Sequence, residues 1–471
     1  MAKDITPEQM ETLEGLVAKA RKAQAVIENY PQKKVDRMCQ AIAWAAGNPK
    51  DFERVCWMGV DESGAGDRNG RYGKRHKILG VLRDALRQKS VGVVEMIPEK
   101  GLVRYAKPVG LIVSLIPMTN PELTPIVTAI YALKARDVVI FSPHPKTKKT
   151  TFEVVRLMRE ALKGIGEPED FLQCIETPNM AVVDQIMKMG DLIMATGGAA
   201  MSKAAHSSGR PAYCSGAGNA TMIFDETTDV EIAAQNSRIS KTSDFGSGCS
   251  ADGNLVIYGG IYEKMLEALK KEGGYLANTE ERKKLENAMW DVEGHRIVDT
   301  VALAPQKLAQ AAGFSIPDDR KFIMVEGTGI GKEHKFSGEK LTTLMDLYRY
   351  EGEFENALKM MDEIYKVGGR GHSCGIYSHN SDHINRLALR APVTRIMVRQ
   401  PQSKANAGSA ENGMPMTSSL GCGVWGGNMV SENISLKHYM QSTWVATPIL
   451  KDQPEESVLF GEFFDPKITR S

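Results

Sequence analysis

Val109-Gly110-Leu111-Ile112-Val113-Ser114-Leu115-Ile116-Pro117 is the stretch that decides the fold. A short, nearly continuous apolar run rich in β-branched residues and closed by proline reads as a strand buried on both faces. Moving outward, the same kind of run returns at regular intervals between amphipathic segments. The spacing predicts helices over Thr124–Lys134, Lys149–Lys163, Val182–Met189 and Met201–Ser207. Strands are predicted over Asp137–Phe141, Phe171–Glu176, Leu192–Ala195 and Thr221–Asp225. Such alternation implies a parallel sheet covered by helices on both faces, an α/β class. Ligands of these sheets sit beyond the carboxyl ends of the strands. That rule selects the loops Pro117–Pro121, Ser142–Pro145 and Thr196–Ala199.

Upstream, Thr6-Pro7-Glu8-Gln9 has the form of a capping box with proline at the first helical position. Helices are expected over Asp36–Ala46, Asp51–Val60 and Tyr72–Gln88, then a β-hairpin over Val91–Lys107 around Pro98-Glu99-Lys100. Downstream, a helix over Glu231–Ser240 leads into a second α/β segment. Its expected helices are Ile261–Glu272, Glu280–Glu293, Pro305–Ala312, Phe354–Val367 and Asp382–Leu389. Its expected strands are Arg296–Asp299, Lys321–Glu326, Leu341–Leu347, Ser373–Tyr377 and Arg395–Arg399. A domain boundary is placed near Gln235.

Just beyond that boundary lies Lys241-Thr242-Ser243-Asp244-Phe245-Gly246-Ser247-Gly248-Cys249-Ser250-Ala251-Asp252-Gly253-Asn254. Glycines and small hydroxyl residues around one cysteine let backbone approach the sulfur and leave room for a substrate carbonyl. Neighbouring N–H groups then stabilise charge on sulfur or on an oxyanion. The reading is a nucleophilic Cys249; the plainer one is a buried, inert thiol.

The chain has 471 residues, with 59 lysines and arginines against 58 acidic residues. A net charge of +1 excludes a polyanion partner such as nucleic acid. Seven cysteines without CxxC spacing point to free thiols in a reducing, cytoplasmic setting. No apolar run reaches the ~20 residues that span a bilayer.

Among the strand-end loops, Thr196-Gly197-Gly198 offers glycines where a phosphate meets a helix start. Asn120 offers a side-chain amide to an oxyanion, and Ser142 and His144 border a rigid proline loop. Two glycine patterns mislead. Gly421-Cys422-Gly423-Val424-Trp425-Gly426 matches GxGxxG without a surrounding βαβ unit, and Gly327–Lys332 lacks phosphate-loop spacing. His372, Cys374, His379 and His383 fit no standard zinc spacing, so no metal is expected.

Taken in order, several segments carry a resemblance: Lys107-Pro108-Val109-Gly110, Pro117-Met118-Thr119-Asn120-Pro121, Phe141–Pro145, Ala195-Thr196-Gly197-Gly198 and Gly216-Ala217-Gly218-Asn219. They continue with Ser240 through Cys249, Glu339-Lys340-Leu341, Gly371-His372-Ser373 and Leu420–Asn428. The chain resembles the CoA-acylating branch of the aldehyde dehydrogenase superfamily, especially the aldehyde domain of bifunctional aldehyde–alcohol dehydrogenases. That resemblance implies a Rossmann-like nucleotide-binding domain over 1–235, with the hairpin 91–107 as an oligomerisation arm. It implies a catalytic domain over 236–425 and a C-terminal segment, 426–471, returning to the first domain.

The resemblance also assigns roles. Cys249 stands at the nucleophile and Asn120 at the oxyanion amide. Thr196, Gly197 and Gly198 lie where a cofactor pyrophosphate binds, Ser142 and His144 on the adenosine side, and Glu339 at a nicotinamide ribose. The implied cycle passes an aldehyde through a Cys249 thioester to coenzyme A, with NADP or NAD as oxidant. Hydrolytic relatives carry a glutamate base where this chain has Ser215-Gly216-Ala217-Gly218-Asn219, so a thiol acceptor is expected in place of water. Departures around Ser243–Gly246, together with Tyr213, Cys214 and Arg238, point to a distinct substrate pocket. Arg238 is read as the cation for an anionic aldehyde, making sulfoacetaldehyde the favoured substrate; acetaldehyde, or hydrolysis to a carboxylate, is the alternative. Basic residues in Pro145–Lys149 lean toward NADP. A homodimer or homotetramer is expected.

Overall fold

The computed structural model describes residues 5–468, with Ala199 in its backbone alone. Five parallel strands form the first sheet, in the order Leu172–Cys174, Val138–Ser142, Leu111–Leu115, Leu192–Ala195 and Ala212–Cys214. Leu111–Leu115, Val138–Ser142 and Leu192–Ala195 are buried at every residue. This is why they read as continuous apolar runs instead of alternating ones. Helix Leu123–Ala135 is likewise buried at every position. Strand order reverses at Leu111–Leu115, whose neighbours lead to opposite edges, so the crevice at its carboxyl end is the natural ligand position.

Seven parallel strands form the second sheet, in the order Gly274–Leu276, Phe322–Glu326, Leu344–Tyr350, Asn254–Tyr258, Thr221–Phe224, Cys374–Tyr377 and Ile396–Val398. The third sheet is antiparallel: the hairpin Gly92–Ile97 and Leu102–Pro108, with Met440–Ala446 added along Leu102–Pro108. The N-terminal helix Pro7–Ile27 opens on the capping box, Gln9 N–H donating to Thr6 Oγ1 at 3.2 Å and Thr6 N–H to Gln9 Oε1 at 3.1 Å. Among the described residues no helix is long and apolar enough to cross a membrane.

Thr221–Phe224 pairs with Asn254–Tyr258 and Cys374–Tyr377, so this strand belongs to the second sheet although it precedes Gln235. Alternation finds a strand, but only its partners assign it to a sheet. Met416, ahead of residue 426, packs in one core with Val430, Ile434 and Tyr439 and the first sheet. Two expectations need correction. The expected strand Arg296–Asp299 is a single bridge from Arg296 to Trp290 and a 3-10 turn, Val298–Thr300. The Arg296 guanidinium satisfies nearby carbonyls of Met289, Thr300 and Lys340 that a strand partner would otherwise take. Finally, Ala212–Cys214, Gly274–Leu276 and Met440–Ala446 are strands with no clear pattern of their own, formed because an open sheet edge accepts them.

Candidate active site

A cavity of about 700 Å³ lies where the strand ends of the first sheet face the Cys249 loop. One wall consists of strand-end loops and the helices after them, including Ser142, His144, Thr196, Gly197 and Gly198. The facing wall includes Lys74, Lys77, Cys249, Glu339 and Lys404, and Asn120 of the strand-end loop Pro117–Pro121 lines the same cavity.

The nucleophile loop leaves helix Val230–Thr242, which is capped by Asp229. Asp244, Phe245 and Gly246 follow with φ of 49°, 50° and 67°, three left-handed residues in succession. Two of these are not glycine, a conformation that persists only when its surroundings impose it. Here the Asp244 carboxylate does so. It accepts from Lys74 Nζ at 2.7 Å, Ser247 Oγ at 2.7 Å and Asp67 N–H at 2.8 Å, with Arg71 Nε at 3.5 Å. Burial pushes the Asp244 pKa up, but Lys74 and Arg71 outweigh it and hold the group below the usual carboxylate range.

Lys74 Nζ also donates to Asn120 Oδ1 at 2.7 Å. An ammonium only donates, so the amide oxygen faces Lys74 and the amide NH2 is left for the cavity. One lysine therefore ties the strained loop to the orientation of Asn120. The backbone N–H of Cys249 has no backbone acceptor among the described residues and forms a second donor beside the sulfur.

Cys249 Sγ lies 2.9 Å from Nε2 of His372, whose Nδ1 is 2.8 Å from Ser373 Oγ. Burial, and then the Arg395 charge, push His372 down to about 3. Burial, then Glu339 and Cys422, push Cys249 up to about 12, against Lys77 and Arg395. The resting pair is a neutral thiol donating to a neutral imidazole. His372 is the functional residue that sequence reasoning missed, having been weighed only as a metal ligand. The available signal was Gly368-Gly369-Arg370-Gly371. Gly369 and Gly371 both have φ of 82°, and a Cβ on Gly371 would lie 1.8 Å from the Cys422 carbonyl oxygen. Only glycine lets this turn bring an imidazole to the sulfur.

The loop where hydrolytic relatives hold a base is equally constrained. A Cβ on Gly218 would sit 1.7 Å from the Cys249 carbonyl oxygen, and one on Gly216 would sit 2.7 Å from Cys422 Sγ. No side chain fits at Gly218, and at Gly216 the Cys422 side chain would have to move. Glu339 is the single carboxylate among the described lining residues. It accepts from Gly218 N–H at 2.9 Å, and burial raises it to about 7 despite that bond and despite Lys241, Arg296 and Lys340.

Eight of the residues singled out in the sequence therefore share this cavity: Asn120, Ser142, His144, Thr196, Gly197, Gly198, Cys249 and Glu339. Two do not. Arg238 pairs with Glu272 at the end of helix Tyr262–Lys271 and is absent from the cavity wall. Its helix turns Ala233, Ala234, Ser237, Ser240 and Lys241 inward, leaving Arg238 on the flank. Tyr213 is also off the wall; its ring meets His438 edge-on at 5.4 Å, because Ala212 and Cys214 take the buried face of that edge strand. Of the residues set aside as a metal cluster, His383 Nδ1 lies 2.8 Å from Asp225 Oδ2, while His372 faces Cys249.

The strand-loop wall fits a nicotinamide dinucleotide. Ser142 Oγ is buried without a protein partner, an orphaned hydroxyl on a ligand cavity. Gly198 caps helix Ala199–His206 with open space where a Cβ would be, so a phosphate can reach the helix N–H groups. Burial and Lys146 keep His144 below its ordinary value and hence neutral.

Comparison with known proteins adds to this geometry. Residues 3–284 match the aldehyde dehydrogenase family. A sulfoacetaldehyde dehydrogenase of Acholeplasma sp is 38% identical over 452 residues, covering 95% of this chain and 93% of the relative. An acylating sulfoacetaldehyde dehydrogenase of Bilophila wadsworthia is 36% identical over 460 residues, covering 97% and 99% respectively. The crystal structure of an acetylating aldehyde dehydrogenase from Geobacillus thermoglucosidasius superposes with a TM-score of 0.91 at 33% identity, covering 95% of this chain and 99% of that one.

Proposed function

The chain belongs to the aldehyde dehydrogenase family, and we propose that it is a CoA-acylating enzyme converting sulfoacetaldehyde to sulfoacetyl-CoA. The observation that carries acyl transfer is Cys249 held on His372 beside the loop Ser215–Asn219, which has no carboxylate and in which Gly218 leaves no room for a side chain. Sulfoacetaldehyde is favoured by the two relatives that share over a third of the sequence along nearly its full length.

The aldehyde carbonyl lies between Cys249 Sγ and the Asn120 amide. As the S–C bond forms, the thiol proton passes to His372 Nε2 and the carbonyl oxygen takes the negative charge. Asn120 Nδ2 and the Cys249 N–H hold that oxyanion, the kind of donor worth ~10²–10³ in rate. Bound NADP or NAD supplies the hydride acceptor. Beside the Cys249 thioester that remains, Glu339 is engaged by the Gly218 N–H, and His372 releases its proton to solvent and becomes neutral again. It then takes the proton of the coenzyme A thiol, which attacks the thioester and frees Cys249. Ser142, His144 and Thr196–Gly198 would hold the adenosine and pyrophosphate, and Glu339 the ribose nearer Cys249. With Glu339 the single described carboxylate on the cavity and Lys146, Lys148 and Lys149 beside His144, the adenosine side tolerates a 2′-phosphate and favours NADP.

Omitting coenzyme A from an NADPH-producing assay tests the acylating step. Turnover with sulfoacetaldehyde is expected to collapse after one equivalent per Cys249; undiminished turnover would instead assign Glu339, the single carboxylate among the described lining residues, as a hydrolytic base. Acetaldehyde is the second reading for the substrate, and a direct comparison of the two aldehydes decides it. A cytoplasmic location accords with seven free cysteines. A homodimer or homotetramer would form through the three-stranded sheet, where Met96, Trp444 and Val445 are exposed. Light scattering of wild type and Trp444→Asp checks this; a monomeric wild type overturns it.

A further inference from the structure

The nucleophile wall carries more positive charge than the carbonyl chemistry uses. Lys74 is occupied by Asp244 and Asn120, both at 2.7 Å. Lys404 donates to Ser243 Oγ at 2.8 Å and has no carboxylate partner among the described residues. Lys77 lines the cavity one helical turn beyond Lys74, on helix Arg75–Leu86, so both side chains face the same space. Its ammonium has neither a hydrogen bond nor an ion pair among the described residues. His76 lines the cavity at a more exposed point, its Nδ1 2.7 Å from the Gly73 carbonyl.

Burial, then Lys74 and Lys404, pull Lys77 down to about 7, against a small opposing effect of Cys249. A lysine held beside two others without a counter-charge is unfavourable unless something else supplies that charge. Among the described carboxylates, Asp244 is already saturated by Lys74, Ser247, Asp67 and Arg71, and Glu339 accepts from the Gly218 N–H and makes no ion pair with Lys77. The partner is expected from the ligand.

We propose that Lys77, assisted by Lys404, binds the anionic tail of the aldehyde while its carbonyl lies between Cys249 and Asn120, and so selects anionic short aldehydes over neutral ones. This rests on the chain being an acylating aldehyde dehydrogenase, and it replaces Arg238 as the tail-binding cation. Sulfonate and carboxylate share the oxyanion chemistry that an ammonium recognises. The cavity wall supplies point charges and not a guanidinium fork, so no planar, two-pronged geometry is demanded of the tail.

The test uses wild type, Lys77→Met, Lys77→Arg and Lys404→Met, with coenzyme A and NADP. The substrates are sulfoacetaldehyde, malonic semialdehyde as the carboxylate of matching spacing, and acetaldehyde. In Lys77→Met the ratio of kcat/KM for sulfoacetaldehyde over acetaldehyde should fall about 10- to 100-fold, the worth of a charged hydrogen bond. Lys404→Met should lower the ratio a few-fold, and Lys77→Arg should restore most of it. In wild type the KM for sulfoacetaldehyde should rise from pH 6 to 8.5 as Lys77 loses its proton, while Lys77→Arg should flatten that rise; Lys74, His76, Lys404, Asp244 and Cys249 are the other titratable groups facing it. The malonic semialdehyde arm reports whether the site prefers sulfonate or takes both anions.

An unmoved ratio in Lys77→Met overturns the inference. So does an equal loss for all three aldehydes, which would put Lys77 on the thiol and not on the tail. A wild type that accepts acetaldehyde alone overturns it as well. CoA-independent turnover in wild type would instead sink the acylating reading, while the Lys77→Met ratio would still report on the tail site. If Lys77→Met fails to fold, the pH dependence of KM in Lys77→Arg decides.

Discussion

On the strand-loop wall, Ser142 ends one buried strand and Thr196-Gly197-Gly198 follows another of the same sheet. On the facing wall, Lys74, Asp244, Cys249 and His372 come from three segments spread over some 300 residues; Lys74 joins Asp244 to Asn120 of the strand-end loop Pro117–Pro121, and His372 joins Cys249. The first wall offers backbone, glycine and one orphaned hydroxyl; the second is a set of buried charges and a thiol, each dependent on the others. A site made of backbone tolerates loss of a side chain. One made of mutually satisfied buried charges does not, because each deletion strands a partner in a medium that solvates it poorly.

The sharpest test of the contrast is Cys249→Ala, expected to lower NADPH formation at least about 10⁴-fold, as loss of a nucleophile does. Activity above one per cent of wild type would move the nucleophile elsewhere. His372→Ala should lower kcat about 10²–10⁴-fold, the usual span for a positioned proton carrier. A companion measurement is alkylation of wild-type Cys249 by iodoacetamide. With the thiol pushed up to about 12 and only the thiolate reacting, the rate should climb steadily from pH 7 to 10, and a plateau near neutrality would contradict the neutral pair.

Asp244→Ala strands Lys74 and Arg71 and releases the strained loop. It should cost about 3–5 kcal/mol in denaturant unfolding, and a loss below 1 kcal/mol would mean the loop holds itself. Across the cavity, Ser142→Ala should raise the KM for NADP by no more than about tenfold with less effect on kcat, the scale of one hydrogen bond. The smallest change is expected for Arg238→Ala. Its pair with Glu272 is partly exposed, so the variant should lose less than about 1 kcal/mol and keep its aldehyde preference. A changed preference would bring Arg238 back to the pocket.

The two walls also differ in how far they were legible. Parallel strands announce themselves as apolar runs, so the loops after them, and with them Asn120, Ser142, His144 and Thr196, followed from periodicity and the strand-end rule. Cys249 stood out because glycine and small hydroxyl residues crowd around it. Glu339 came only through resemblance. His372 and Lys77 were invisible in their roles: a histidine after a glycine turn and a lysine on an N-terminal helix look the same whether they face solvent or sulfur. Arg238 failed for the converse reason, since a cation near the nucleophile in sequence can point to either flank of its helix.

By itself the sequence determined the α/β class, the strand-end loops, Cys249 as the candidate nucleophile and the absence of an acid at 215–219, because each is local: period, composition, or the lack of a side chain. Tertiary structure alone decided which sheet takes Thr221–Phe224, that His372 meets Cys249 at 2.9 Å, and that Lys77 faces the cavity unpartnered. Those are facts about segments distant in the chain, and the packing of two sheets, which no local pattern encodes, is what brings them together.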